Sequence, residues 1–101
     1  MATPEAKVKA KIKEILKRHG VYYTMPIGTG YGNAGVPDFL CCVPPNGRFL
    51  GIEAKANGGK TTVLQDRNLI EISEAGGHAY VIDEHGYALL EGLINDMKRK
   101  P

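Results

Sequence analysis

Long apolar segments and spaced cysteines are missing from this chain of 101 residues, and a secretory leader is not expected. No apolar run approaches the roughly 20 residues that cross a bilayer as a helix. The first residues are charged and helical in pattern, which excludes the apolar centre of a signal peptide. Internal repeats and low-complexity segments are absent too. The hydrophobic fraction is 43% and the charged fraction 24%, so we expect one globular domain over residues 1–101.

Cysteine is scarce, since Cys41 and Cys42 are the only two and they are adjacent. Neighbouring side chains of a strand point to opposite faces, so no disulfide is expected between them. The pair also lacks the spacing of zinc ligands. We therefore expect two buried thiols in a reducing compartment, the cytoplasm of a cell.

Net charge is also small, at +2, but its distribution is uneven. Residues 1–18 carry six basic side chains against two acidic ones, and the last residues are basic again. The middle of the chain holds four basic and nine acidic side chains. Basic ends around an acidic centre suit a protein that contacts phosphate groups and holds cations. A solvated helix face and a basic tail would give the same pattern.

Helix and strand signals predict the element order α-β-β-β-α-β-α. A helix from Pro4 to His19 begins after the N-cap Thr3 and ends at Gly20. The other predicted elements are strands at Val21–Met25, Asp38–Val43 and Arg48–Ala56, a helix at Val63–Ala75, a strand at His78–Asp83 and a helix at Tyr87–Lys98. This order predicts an α/β fold with a mixed central β-sheet flanked by helices.

The candidate catalytic residues lie on two neighbouring predicted strands. Glu53 and Lys55 share a face of one strand, about 7 Å apart, because strand side chains alternate. If the two strands pair as a hairpin, Asp38 lies at the same end as Glu53 and Lys55. Two carboxylates can hold Mg²⁺, and a lysine beside them can orient water and stabilise charge on a phosphorane. The pattern therefore indicates phosphodiester hydrolysis, and a surface ion pair with Asp38 capping a turn is the plainer alternative.

Two further polar residues are candidates for the same site. Glu5 falls on the apolar stripe of the first helix and should face the sheet, whereas Glu14 should face solvent. Thr62-x-x-Gln65 is a capping-box pattern that would explain Gln65 by itself. Gln65 also heads the face of its helix that packs on the sheet, so it could serve both the cap and the site.

Five ordered segments resemble the VRR-NUC nucleases, a branch of the PD-(D/E)xK superfamily: Gly35–Leu40, Gly51–Ala56, Gly59–Thr61, Leu64–Gln65 and Gly76–Ala79. The resemblance implies a restriction-endonuclease-like core and a DNA endonuclease that uses Mg²⁺ or Mn²⁺. Stand-alone members of this kind resemble Holliday junction resolvases and act as homodimers on branched DNA. Others are domains of larger repair nucleases. Glu5 would match the acid of the family's first helix.

The resemblance also implies roles for the residues of the centre. Asp38, Glu53 and the backbone carbonyl of Ala54 would bind the metal. Lys55 would act at the attacking water, and Gln65 would support the site.

Contacts to DNA are expected outside this centre. Lys7 and Lys11 of the basic first helix would contact the phosphate backbone. Tyr31 and Asn33 lie in a glycine-rich loop that could approach the substrate closely. Lys60 would contact a phosphate, although a flexible loop and a solvated lysine are equally ordinary interpretations.

A homodimer has a separate physical argument. One domain presents one active site, whereas resolving a four-way junction requires two symmetric cuts, and a two-fold dimer supplies both. The Tyr87–Met97 helix and the sheet edge are candidate dimer surfaces.

Three alternatives stay open at this point. The segment Ala54–Thr61 fits a relaxed phosphate-loop pattern and would indicate a nucleotide-binding domain, although its first position is alanine and such cores need more parallel strands. The segment Gly30–Gly35 has dinucleotide-binding spacing but precedes a strand instead of a helix. A module that binds DNA without cutting would have no evident use for two clustered acids.

Overall fold

The structure, a computed structural model, describes residues 2–27 and 34–99. Its elements are α1 (Pro4–Arg18), β1 (Tyr22–Thr24), β2 (Phe39–Val43), β3 (Arg48–Ala54), α2 (Val63–Glu74), β4 (His78–Ile82) and α3 (Tyr87–Arg99). Both the predicted order and the predicted α/β class are confirmed, with element ends shifted by one or two residues. Within the described ranges, no helix is long and apolar enough to cross a membrane.

The four strands form one mixed sheet in the order β1-β2-β3-β4. The first three strands are antiparallel, and β3 and β4 are parallel. A parallel pair needs a long crossover, which α2 provides. Phe39 pairs with Ile52 in the hairpin, so Asp38 stands opposite Glu53, one position further out. Among the described strands β3 and β4 form the single parallel pair, which does not amount to a phosphate-loop core.

The hydrophobic core lies between one face of the sheet and the helices α1 and α3. The buried side chains on the sheet include Phe39, Cys41, Val43, Leu50, Ile52 and Ala54; those on the helices are Val8, Ile12, Ile15 and Leu16 of α1 and Leu90, Ile94 and Met97 of α3. Burying each large aliphatic side chain contributes about 2 kcal/mol before entropy is counted. The apolar face of α3 is therefore used within the domain.

The second face of the sheet is only partly covered. α2 packs there closely against Gly51. A Cβ at this glycine would lie only 3.0 Å from Cδ1 of Ile72 in α2. No residue of α2 is fully buried. Tyr22 and Phe49 remain exposed.

The two cysteines lie on the two different faces of the sheet, one covered and one open. Cys41 points into the core, and burial raises the pKa of its thiol to about 12. Cys42 points to the uncovered face and is exposed. The expectation of two buried thiols was therefore wrong for Cys42, because nothing among the described residues covers that part of β2.

Candidate active site

Asp38 is fixed at the point where the loop enters β2. Its Oδ2 accepts a hydrogen bond of 2.8 Å from the backbone N–H of Ala54. The preceding Pro37 is buried against Gly51, where a Cβ would lie 3.4 Å from Cγ of the proline ring. The Ala54 N–H thus fixes the carboxylate over the end of β3, and the packing of Pro37 fixes the chain just before it.

Glu53 is the centre of the cluster and has only 3% of its surface exposed. Its Oε2 lies 3.5 Å from Nζ of Lys55. Burial raises the pKa of Glu53 to about 7, and the charge of Asp38 and a hydrogen bond with Asp38 act in the same direction, while Lys55 opposes them. The structure therefore brings together the three residues Asp38, Glu53 and Lys55.

Gln65 performs both of the tasks that its sequence position indicated. Its backbone N–H donates to Oγ1 of Thr62 at 3.2 Å, and its Oε1 accepts from the Thr62 backbone N–H at 2.9 Å, which is a complete capping box. Its Nε2 donates to Oε2 of Glu53 at 3.1 Å. The first turn of α2 is thereby attached to the centre of the site.

A second lysine, which was not among the candidates from the sequence, reaches the cluster from α1. Nζ of Lys9 lies 3.5 Å from Oδ1 of Asp38 and 3.7 Å from Oε2 of Glu5. Glu5 thus faces the sheet side as expected, and its ion pair is with Lys9. The signal was available, because Lys9 follows Glu5 by four residues and such pairs share a helix face. Each of the two converging carboxylates therefore has a lysine of its own.

The end of the glycine-rich loop is fixed on α2. A Cβ at Gly35 would lie 2.5 Å from the carbonyl carbon of Leu64 and 2.8 Å from N of Gln65, and φ at Gly35 is +81°. Nδ2 of Asn68 donates to the carbonyl oxygen of Ala34 at 2.9 Å. Only glycine allows this approach. Ala34 and Gly35 therefore lie directly against the helix turn that holds Glu53.

Of the five residues predicted to contact DNA, three lie in the part of the chain that the structure describes. Tyr31 and Asn33 lie outside the described residues. Lys60 is exposed in the loop after β3, and Lys7 is exposed on α1. Lys11 lies 3.4 Å from Oε1 of Glu14 in an ion pair on the surface.

The chemistry of the donor set fits a hard divalent cation. Asp38 and Glu53 bring two carboxylates together, and burial and the charge of Asp38 raise the pKa of Glu53 in spite of Lys55, so a further positive charge at this point would favour the ionised pair. Within the described part of the chain, no group of three or more Asp, Glu, His and Cys side chains forms a metal cage. Mg²⁺ does not require one, because it keeps several waters and binds through one or two carboxylates.

Comparisons with known proteins identify a relative in sequence and similar solved structures. A relative named "Putative nuclease p44", from Acyrthosiphon pisum secondary endosymbiont phage 1, is 30% identical over 87 residues, which are 86% of this chain and 89% of the relative. A solved structure described as a VRR_NUC domain has a TM-score of 0.70 at 22% identity, covering 95% of both chains. A second, described as a VRR_NUC domain protein, has a TM-score of 0.63 at 17% identity, over 94% of this chain and 88% of its own. No family model matches the chain.

Proposed function

The chain belongs to the VRR-NUC family of nucleases, and from this we propose that it is a metal-dependent DNA endonuclease that resolves four-way junctions as a homodimer. The observation that carries the proposal is the convergence of Asp38, Glu53 and Lys55 at one end of the β2–β3 hairpin. Two carboxylates and a lysine are the parts that phosphodiester hydrolysis requires.

Asp38, Glu53 and the backbone carbonyl of Ala54 would hold the metal. A bound Mg²⁺ or Mn²⁺ polarises a phosphate oxygen and lowers the pKa of water. The protein's part is to keep the two carboxylates in place. The Ala54 N–H holds Asp38 and the Gln65 amide holds Glu53, so neither carboxylate has to be ordered during the reaction.

Lys55 is the residue that we assign to the water and the phosphate. Its ammonium group lies beside Glu53 and is mostly buried, with 15% of the side chain exposed. A lysine in this position donates hydrogen bonds to an attacking water or to a phosphate oxygen on which charge develops. Mutational removal of such a donor affects the rate of cutting and leaves the binding of DNA largely intact.

The homodimer follows from the symmetry of the substrate, because two cuts need two centres. Of the two candidate surfaces, the apolar face of α3 is occupied by the core, as Leu90, Ile94 and Met97 are buried there. Leu89 on the outer side of α3 is 56% exposed, so the helix and the sheet edge both stay candidate surfaces for a second copy.

A cleavage assay tests the proposal. Labelled four-way junction, flap, nicked and linear duplex DNA are incubated with Mg²⁺, with Mn²⁺ and with EDTA. We expect paired symmetric cuts in the junction that disappear with EDTA and with Asp38→Ala. Asp96→Ala changes an exposed acid of α3 and serves as the matched control. Failure to cut any of the four DNAs would overturn the proposal and favour a DNA-binding module that does not cut.

A further inference from the structure

The lysines of α1 are divided between two flanks of the helix. At about 100° per residue, Lys9, Lys13 and Lys17 follow one another on one flank. Lys7 and Lys11 lie on the other flank, on the opposite side of the buried stripe. The two flanks have different neighbours, and only one of them leads to the candidate active site.

The flank that carries Lys11 is rich in ion pairs. Glu14 lies on it, and its Oε1 is 3.4 Å from Nζ of Lys11 and 3.7 Å from Nη1 of Arg18. Arg18 also pairs with Glu91 of α3, so this flank adjoins α3 and a second carboxylate. The charges of Lys11 and Arg18 are therefore compensated within the protein, whereas Lys7 has no carboxylate within ion-pair distance among the described residues.

The flank that carries Lys9 has the opposite character. Lys9 is the first residue of this flank, and its ammonium group pairs with Asp38 in the candidate active site. Lys13 and Lys17 are exposed, and no carboxylate lies within ion-pair distance of either in the described residues. Ala6 and Ala10 are exposed as well and present no bulky side chain. The flank is thus a row of lysines on an open surface that starts at the active site.

We propose that Lys9, Lys13 and Lys17 form a track for the sugar-phosphate backbone of the DNA that adjoins the scissile bond. The inference rests on the proposed endonuclease function and names the surface that positions its substrate. Successive lysines rise by about 6 Å along the helix, a step comparable to the separation of neighbouring phosphates on one strand. The uncompensated charges of Lys13 and Lys17 are available to replace the counter-ions of the phosphates.

Binding as a function of salt tests the track. Two variants with the same charge change on the same helix are compared, Lys13→Ala/Lys17→Ala and Lys7→Ala/Lys11→Ala, with labelled junction DNA in EDTA. We expect the first variant to lose close to two units of the slope of log K against log salt, and the second to lose clearly less. An unchanged slope in the first variant, or equal losses in both, would overturn the proposal.

Cross-linking tests whether the track leads to the scissile bond. Lys17→Cys is labelled with a photo-activated reagent in a Cys42→Ser background, which removes the other exposed thiol. We expect cross-links on the strand that is cut, within a few nucleotides of the cleavage position. Cross-links spread evenly over the junction arms would contradict the track.

The two experiments separate this inference from the proposed function. A wild-type protein that binds DNA through the track but never cuts would overturn the endonuclease and leave the track standing. If the wild-type protein cuts, and the slope of log K against log salt is unchanged in Lys13→Ala/Lys17→Ala, the track alone would be overturned.

Discussion

Gln65 holds the Glu53 carboxylate with the same amide group that closes the N-terminal cap of α2. The amide nitrogen donates to Glu53 at 3.1 Å, and the amide oxygen accepts from Thr62 at 2.9 Å. The rotamer of Glu53 and the start of α2 are therefore fixed by one side chain. A change in this residue can separate the stability of the helix from the chemistry of the site.

Gln65→Glu is expected to keep the fold and lose the cutting activity. Glutamate suits the third position of a capping box, and a negative charge at the start of a helix is favourable. The same carboxylate would face Glu53 without a proton to donate, and the like charges would repel. Thermal unfolding and junction cleavage are the two measurements. Wild-type cutting by this variant would show that the Gln65–Glu53 hydrogen bond is dispensable.

Gly35→Ala is expected to destabilise the protein by about 2–4 kcal/mol, from overpacking and from an alanine at positive φ. The new methyl group would overlap the backbone of Leu64, which must move together with the first turn of α2. Cutting should fall as well, because Gln65 belongs to that turn. Urea unfolding measures the first effect.

Gly20→Ala is the control for this change. Gly20 also has a positive φ, +68°, but nothing lies within 4 Å of its Cβ position. Gly20→Ala should lower the free energy of unfolding by only about 1 kcal/mol, which is the strain of the backbone conformation. Equal losses in the two variants would mean that the close approach at Gly35 carries no special cost.

The metal-free protein is expected to lose stability as the pH rises from about 4.5 to above 7. The pKa of Glu53 is raised in the folded state from 4.5 to about 7, so the folded state binds this proton more tightly than the unfolded state. The contribution is fully present below pH 4.5 and is lost as the pH passes the folded pKa. Glu53→Gln should flatten the profile of unfolding temperature against pH in EDTA.

Glu74→Gln makes the same chemical change on the exposed surface of α2 and should leave the profile as it is. Metal binding needs the ionised carboxylate, so the affinity for Mn²⁺ should rise over the same pH range. A wild-type unfolding temperature that does not decline between pH 5 and pH 8 would contradict the raised pKa.

Lys55→Ala is expected to reduce the rate of cutting by about a hundredfold or more, as the loss of a hydrogen-bond donor to developing charge does. Junction binding should remain, because Lys55 is largely buried beside Glu53 and adds little to the outer surface. Single-turnover cleavage and a binding titration separate the two effects. Lys17→Ala would be the reverse case, with weakened binding and a nearly intact rate at saturating protein.

Local signals explain why so much of the fold was predictable. The cap Thr3, the terminator Gly20 and the capping box at Thr62 each act within a few residues, and every predicted helix and strand end lies within two residues of the observed one. The Glu53-x-Lys55 spacing is local as well. Side-chain alternation alone was enough to place both residues on one face.

The remaining features depend on distances between elements. Lys9 reaches Asp38 only because α1 crosses the sheet at that point, and its spacing from Glu5 gives the pair but not the crossing. Cys42 is exposed because α2 covers one half of a face and leaves the other half open. Neither fact is encoded within a short stretch of sequence.

The hairpin that sets Asp38 opposite Glu53 also has a kinetic consequence. Asp38, Glu53, Lys55 and Gln65 belong to one continuous stretch of chain, and contacts between residues near in sequence form early in folding because little loop entropy opposes them. The carboxylates should therefore meet before α1 arrives with Lys9. If the two carboxylates hold a divalent cation as proposed, we expect Mg²⁺ to bind during that interval and to raise the refolding rate in the absence of DNA.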